Sequence, residues 1–389
     1  MKEYFYKKEL KYIYLGRLSY SFANALIEMF GTVMLYKNGV PIWLILLIYG
    51  LRFGIMGLCT PLFLSISSKF GIAKTVLISN IFSIFSGYMM LNGANISRNI
   101  VIFIIAMGLN GLSNPSSDAL SSRYVDKEYR GRFNSFMSIS KIIAQALASA
   151  IVAWGVITSN NLVLYTIITI FFLLDYVFIK QIDYKIEKKS NVFKDTIKYL
   201  IKSKSRYKII YALKTNHIIE RLFTSLYLYV VLKDFKLFSS VTIVSLLIQI
   251  ITLILIGKFS DKNISKSNNL VTILKSIISG IFIFAKNRVV ISLNKALNDN
   301  FEKVYETSIQ TSIQNIIKES KEDNELLSAV GQMSLCFTEV IVFAILAILS
   351  SIIGEHVFKV IFILSIISSF FTNIEIKREE KELRKNNTL

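Results

Sequence analysis

Cysteine, histidine, proline and charge are all scarce in this chain, and each shortage removes a class of protein. The two cysteines, Cys59 and Cys336, both sit inside apolar runs. A disulfide framework or a thiolate metal site is not expected there, and both read as small buried hydrophobes. The two histidines, His217 and His356, lie far apart with no ligand spacing around either, so neither a metal site nor a cofactor is expected. No phosphate-binding glycine loop is present, which argues against nucleotide-driven transport by this chain alone, and no nucleophile constellation marks an enzyme. Only 18% of the 389 residues are charged and 53% are hydrophobic, with a mean hydropathy of +0.52; a water-soluble domain does not have this balance. Three prolines and 17 glycines leave few of the residues that usually hinge moving helices.

What is there instead is a series of apolar runs, each of about 20 residues and long enough to cross a hydrocarbon core roughly 30 Å thick. They are continuous rather than alternating, which favours helices over a closed barrel. Spans are expected at 13–36, 42–66, 74–93, 99–122, 133–157 and 162–180, then at 207–232, 238–258, 269–286, 289–315, 327–351 and 356–375. The fold class is therefore an all-α polytopic membrane protein with twelve transmembrane helices in two six-helix halves, 13–180 and 207–375. The remaining segments are tails at 1–12 and 376–389 and a basic linker at 181–206, within which Phe193–Ile201 has the pattern of a short amphipathic helix. The first apolar run starts near Leu15 and continues as a full span, so no cleavable signal peptide is expected.

The net charge of +19 could suggest a nucleic-acid partner, but its distribution argues against one. Lysine and arginine concentrate in alternate links, Ser67–Lys74, Arg123–Arg132 and the 181–206 linker among them, while the intervening links carry little charge. That asymmetry is the positive-inside pattern. It predicts a multi-pass protein of the cell membrane with both termini cytoplasmic, whose partners are the lipid bilayer and a small solute. A monomer is expected.

Two stretches repeat one another. Asn110, Asn114 and Asp118 in the fourth span match Asn294, Asn298 and Glu302 in the tenth, stepping by four along one helical face. The tenth span also holds Lys295, Asp299, Lys303 and Glu306, and hydropathy alone would reject it. The match to the fourth span and the need to return the link at 318–325 to the basic side both support it. Its ionisable groups must then face protein or water rather than lipid.

The chain resembles the major facilitator superfamily over essentially its whole length. The family's loop after an even-numbered helix, glycine-x-x-x-aspartate-basic, is visible at Gly257-Lys258-Phe259-Ser260-Asp261-Lys262. The first-half counterpart, Ser68-Lys69-Phe70-Gly71, keeps the basic residue and the glycine but has Ser68 where the aspartate would be. The segment Asp126-Lys127-Glu128-Tyr129-Arg130-Gly131-Arg132 is similar to the family's link between fourth and fifth helices. The resemblance implies conformational roles for Gly71, Gly257, Asp261, Lys262, Arg130 and Gly131. Two departures argue against a standard drug/proton exchanger: Met107 stands where those proteins carry an arginine, and the fifth span has only Gly155 in place of a glycine-proline-glycine pattern.

The resemblance further implies that the first, fourth, seventh and tenth helices line a central cavity, and the charges inside the spans concentrate there. Candidates are Arg17, Asn24 and Glu28 in the first span; Asn110, Asn114 and Asp118 in the fourth; Lys214, His217 and Arg221 in the seventh; and Asn294, Asn298, Asp299, Glu302 and Glu306 in the tenth. A charge at mid-membrane costs at least about 2.5 kcal/mol, so these groups must pair, meet water or bind something. The competing structural reading is a set of interhelical salt bridges. For proton coupling, Glu28, Asp118 and Glu302 are candidates in that order. Arg52 and Lys141 read as snorkelling or salt-bridging cations, Asp175 and Lys275 as structural charges, and Gln332 and Glu339 as rim groups. The expected function is a secondary active transporter moving a small solute by alternating access, with coupling to protons, to sodium or to neither left open by the sequence. The alternative is a transporter-like scaffold or sensor that moves nothing. Mixed cavity charge fits a zwitterion, a peptide, a sugar or an amphiphilic drug.

Overall fold

The computed structural model describes residues 7–91, 99–113, 120, 123–126, 130–158, 161–182, 192–202, 207–234, 237–238, 240–246, 248–249, 264–285, 287–319 and 324–387. Among them every regular element is a helix. The first half comprises α1 (Lys8–Lys37), α2 (Ile42–Phe70), α3 (Ile72–Leu91), α4 (Ile100–Leu109), α5 (Arg130–Thr158) and α6 (Asn161–Lys180). A 3-10 turn, Asn110–Ser113, extends α4. The linker carries α7 (Val192–Lys202), and the second half continues with α8 (Tyr207–Leu232), α9 (Ile264–Phe284), α10 (Arg288–Glu319), α11 (Asn324–Ile353) and α12 (Val357–Asn387). Between α8 and α9, residues 237–238, 240–246 and 248–249 are helical and belong to the eighth span.

Several helices run past the expected apolar spans into polar sequence. The α12 helix continues through Lys377–Lys385 because Glu, Lys and Arg are good helix formers in water. The tenth helix, the least apolar of the expected spans, is one uninterrupted helix of 32 residues. Among the described residues five stretches are long and apolar enough to cross a membrane by length and composition: Lys8–Lys37, Ile42–Phe70, Ile72–Met90, Leu162–Lys180 and the joined stretch Leu326–Glu379.

The two ends of the bundle are held together differently. At the end opposite the termini, one apolar core runs through both halves. Tyr49 and Phe53 of α2 pack with Phe223 of α8 and Phe343 of α11, the Phe53–Phe343 rings stacking at 5.7 Å. Tyr36 of α1 meets Tyr229 of α8 edge-on at 6.3 Å. Among the described helices α2 packs most extensively against α11, and glycine permits it. A Cβ on Gly50 or Gly57 would lie 2.9 Å from the Cβ of Phe343 or Cys336, closer than real side chains tolerate. At the termini end the apolar cores are separate, one around Leu10, Val76 and Phe133 and another around Tyr207, Ile309 and Ile376. There the halves meet through a smaller apolar contact, Ile142 of α5 joining the second-half core with Ile139 and Ala146 beside it, and through neutral hydrogen bonds. Asn134 of α5 donates to Thr311 (3.2 Å) and Gln314 (2.8 Å) of α10, and Ser138 pairs with Thr307 at 3.0 Å.

Candidate functional site

Between the halves lies a cavity of about 240 Å³. Its first wall comes from α1 and α5. Arg17, Tyr20, Ser21 and Asn24 follow i, i+3, i+4, i+7 spacing, so one stripe of α1 faces inward, and Lys141 and Gln145 do the same on α5. The facing wall is built by Arg221 and Ser225 of α8, Gln249 of the eighth span, and Lys295, Asp299, Glu302 and Glu306 of α10. The apolar lining residues are Ala25, Leu222 and Leu246.

Part of this charge is neutralised within the second half. Arg221 pairs with Glu306 at 3.2 Å. Lys295 and Asp299, one turn apart on α10, form a close ion pair, and Ser245 donates to Asp299 at 2.7 Å. Glu302 is different. It is 6% exposed and lines the cavity, yet it accepts no hydrogen bond from any described residue; it senses Lys275, Glu220, Arg221 and Asp299 only through space. A second cavity of about 80 Å³ adjoins the first, sharing Arg221, Glu302 and Glu306, and is lined also by Lys214, His217 and Tyr305. Lys214 donates to Gln310 at 3.2 Å.

Behind this second cavity is a buried polar cluster. Lys275 of α9 pairs with Glu220 of α8 at 3.1 Å, with side chains 1% and 0% exposed. Ser279 donates to the same carboxylate at 2.8 Å, and Ser365 of α12 donates to its other oxygen. The Lys275 ammonium also touches His217 and lies 5.0 Å over the Tyr305 ring. In the first half, Asn80 of α3 donates to Asp175 of α6 at 2.9 Å, and Arg17 lies within electrostatic reach of that carboxylate.

Of the residues singled out from the sequence, Arg17, Asn24, Arg221, Asp299, Glu302 and Glu306 come together in the main cavity, and Lys214 and His217 border the smaller one. Asn294, Asn298 and Asn110 go elsewhere. Asn294 donates to the Ile278 carbonyl at 3.0 Å and Asn298 accepts from Ser279 at 3.2 Å, so both tie α10 to α9. Asn110 is 3% exposed, and its carbonyl accepts from Ser79 of α3. The reason is helical geometry. Adjacent residues are about 100° apart around the axis, so Asn294 and Asn298 sit one step round from Lys295 and Asp299. The two stripes converge at Glu302.

Gly71 caps α2 with φ +87°, its N–H donating to the Ser67 carbonyl. Glu28 lies in α1 and Arg130 and Gly131 open α5, but their side chains are outside the described set. Asn114, Asp118, Gly257, Asp261 and Lys262 lie outside the described residues altogether. Lys141, Gln145, Ser225, Gln249 and Lys295 also line the cavity but were not among the cavity candidates read from the sequence. Lys141 and Lys295 carried a signal, as cations inside spans, whereas an uncharged glutamine or serine in an apolar helix carries none.

A helical bundle of two six-helix halves around a polar cavity defines a membrane transporter. The sequence profile of the Major Facilitator Superfamily matches residues 13–292, and the chain belongs to that family. Among curated proteins, none matches it in sequence. Among solved structures it is similar to a bacterial homologue of the iron transporter ferroportin in an outward-facing state, with TM-score 0.69, 13% identity, and 96% of this chain and 100% of that one covered. It is also similar to the human organic anion transporter MFSD10 (TETRAN), with TM-score 0.64, 11% identity and coverage of 93% and 98%. The transporter FucP in an outward conformation gives TM-score 0.64, 12% identity and the same coverage. At these identities the likeness is one of fold.

Proposed function

We propose that this chain is a secondary active transporter that moves a small solute by alternating access, coupled to protons through a cavity carboxylate. The observation that carries the reading is the cavity's position. It lies on the seam between the halves, with an aromatic-rich apolar seal at one end and a smaller apolar contact with a short set of neutral hydrogen bonds at the other. Parting one end while closing the other exposes a midplane site to each side in turn. The scaffold reading gives no reason for a seam cavity lined mainly by polar and charged residues.

Glu302 is assigned as the coupling carboxylate. It lines both cavities, is buried, and has no hydrogen-bond donor among the described residues that would hold it ionised. Glu28 is a second candidate, placed by spacing one turn beyond Asn24 on α1. The cationic links place the termini end in the cytoplasm, which makes the aromatic seal the outer one. The test is solute accumulation in proteoliposomes under an imposed proton gradient. Glu302→Gln is expected to abolish uphill accumulation while leaving downhill flux at saturating solute. Undiminished accumulation by that variant refutes the assignment of Glu302; absence of flux in the wild-type chain for every solute class refutes transport itself.

A further inference from the structure

We infer that the cavity binds a small zwitterion, an amino acid or a betaine, with its anionic group on the α1 wall and its ammonium on the α10 wall. The inference rests on the transporter reading for its context but on separate observations for its chemistry.

The first observation is which charges are already engaged. Arg221–Glu306 and Lys295–Asp299 neutralise each other within the second half. Setting those aside, Arg17 and Glu302 face the same space from opposite halves. Neither makes a hydrogen bond or an ion pair with any described residue; Arg17 feels Asp175, and Glu302 feels Lys275, through space alone. Glu302 is buried and Arg17 half-buried, and a charge at that depth with no partner among the described residues is costly. A ligand that brings one charge of each sign relieves both walls at once, whereas an anion serves only Arg17 and a cation only Glu302.

The second observation is the segregation of sign. Among the described lining residues the α1 and α5 wall carries cations, Arg17 and Lys141, and no carboxylate. Every described carboxylate of the cavity is on α10. The field therefore runs across the seam, which orients a dipolar solute along the line between the halves. The third is size. A cavity of about 240 Å³ lies below the range of about 300–1,000 Å³ usual for drug-sized ligands, and its few apolar lining residues offer little to an amphiphile. A sugar would fit the volume but would leave both charges unanswered.

A zwitterion bridging the seam also ties binding to conformation. Its two ends belong to different six-helix halves, so it binds tightly only when those halves hold Arg17 and Glu302 at the right separation. That differential affinity between states is what a solute needs in order to shift the equilibrium between them.

The test uses the full chain purified in detergent and matched sets of probes: alanine, propionate and ethylamine; 4-aminobutyrate, butyrate and butylamine; and the remaining proteinogenic amino acids with glycine betaine. Thermal stabilisation and calorimetry are expected to show that a zwitterion binds, and that its matched carboxylate and amine bind at least tenfold more weakly. Arg17→Gln should abolish the advantage of the zwitterion over its amine, and Glu302→Gln its advantage over the carboxylate. Arg17→Lys and Glu302→Asp, which retain charge, should keep most of the discrimination and control for misfolding. A panel in which no zwitterion binds, or in which the matched anion or cation binds within threefold of it, overturns the inference. Counterflow in proteoliposomes separates the two readings. Counterflow confined to a neutral or singly charged solute leaves transport standing and overturns the zwitterion, whereas a bound zwitterion that is never exchanged supports this inference and refutes transport.

Discussion

The sharpest stability prediction concerns the pair Glu220–Lys275. The two side chains are 3.1 Å apart at essentially zero exposure, so neither can be rescued by water. Replacing Lys275 with Met leaves the Glu220 carboxylate with hydroxyl donors only, from Ser279 and Ser365, and removes the cation lying over Tyr305. Breaking a buried pair from one side typically costs about 3–5 kcal/mol. Glu220→Met should cost a similar amount by stranding the ammonium next to His217. The double variant Glu220→Met/Lys275→Met removes both charges and fills the space with apolar side chains, a change that is often neutral or better. The expected pattern is therefore two strongly destabilised single variants and a double variant more stable than either. Reversible unfolding in mixed detergent micelles measures it, with size-exclusion profiles as a folding control. Single variants within about 1 kcal/mol of wild type, or a double variant whose loss equals the sum, would show that the two charges do not depend on each other.

Two further predictions address the ends of the bundle. With Cys59 replaced by Ser, Gly57→Cys is expected to form a disulfide with the native Cys336, because a Cβ at position 57 would lie 2.9 Å from that of Cys336 and a shift of less than 1 Å reaches the usual spacing; oxidation should stop solute flux and reduction restore it, and flux unaffected by a complete cross-link would mean that α2 and α11 need not separate. Asn134→Ala with Ser138→Ala removes three hydrogen bonds between α5 and α10, each worth about 0.5–1.5 kcal/mol; labelling of a cysteine introduced at Gln145 by a membrane-impermeant thiol reagent from the termini side should rise at least several-fold, and an unchanged rate would locate the closure of that end elsewhere.

The helical plan was legible because each span is set by the thickness of the bilayer, a constraint that acts locally on the chain. Even α10, the least apolar of the spans, could be placed by its polar match to the fourth. Identifying cavity residues was harder. Spacing says which residues share a helical face, but not which neighbour that face meets. On α10, Asn294 and Asn298 share a stripe and turn to α9, whereas Lys295 and Asp299, one residue on, turn to the seam. Lys275 reads in sequence as a lone cation on a packing helix. Its partner Glu220 is 55 residues away, a pairing that only the tertiary fold creates. The inward face of α1 was easier to find, because Arg17 and Asn24 are conspicuous in an otherwise apolar run.

On the proposed alternating-access reading, the unlike closures at the two ends make the balance between the two states depend on temperature. Parting the aromatic end exposes Tyr49, Phe53, Phe223 and Phe343 to water, which raises the heat capacity. Parting the other end exchanges neutral hydrogen bonds for bonds to water and uncovers the smaller apolar contact of Ile139, Ile142 and Ala146, with a smaller change in heat capacity. The free energy between the two states is then a curved function of temperature. On cooling, the aromatic seal weakens more than the other end, where less apolar surface is shared between the halves. The population open at the aromatic end should therefore rise in the cold, so that temperature alone, with no change in solute or proton gradient, resets the direction in which the resting cavity faces.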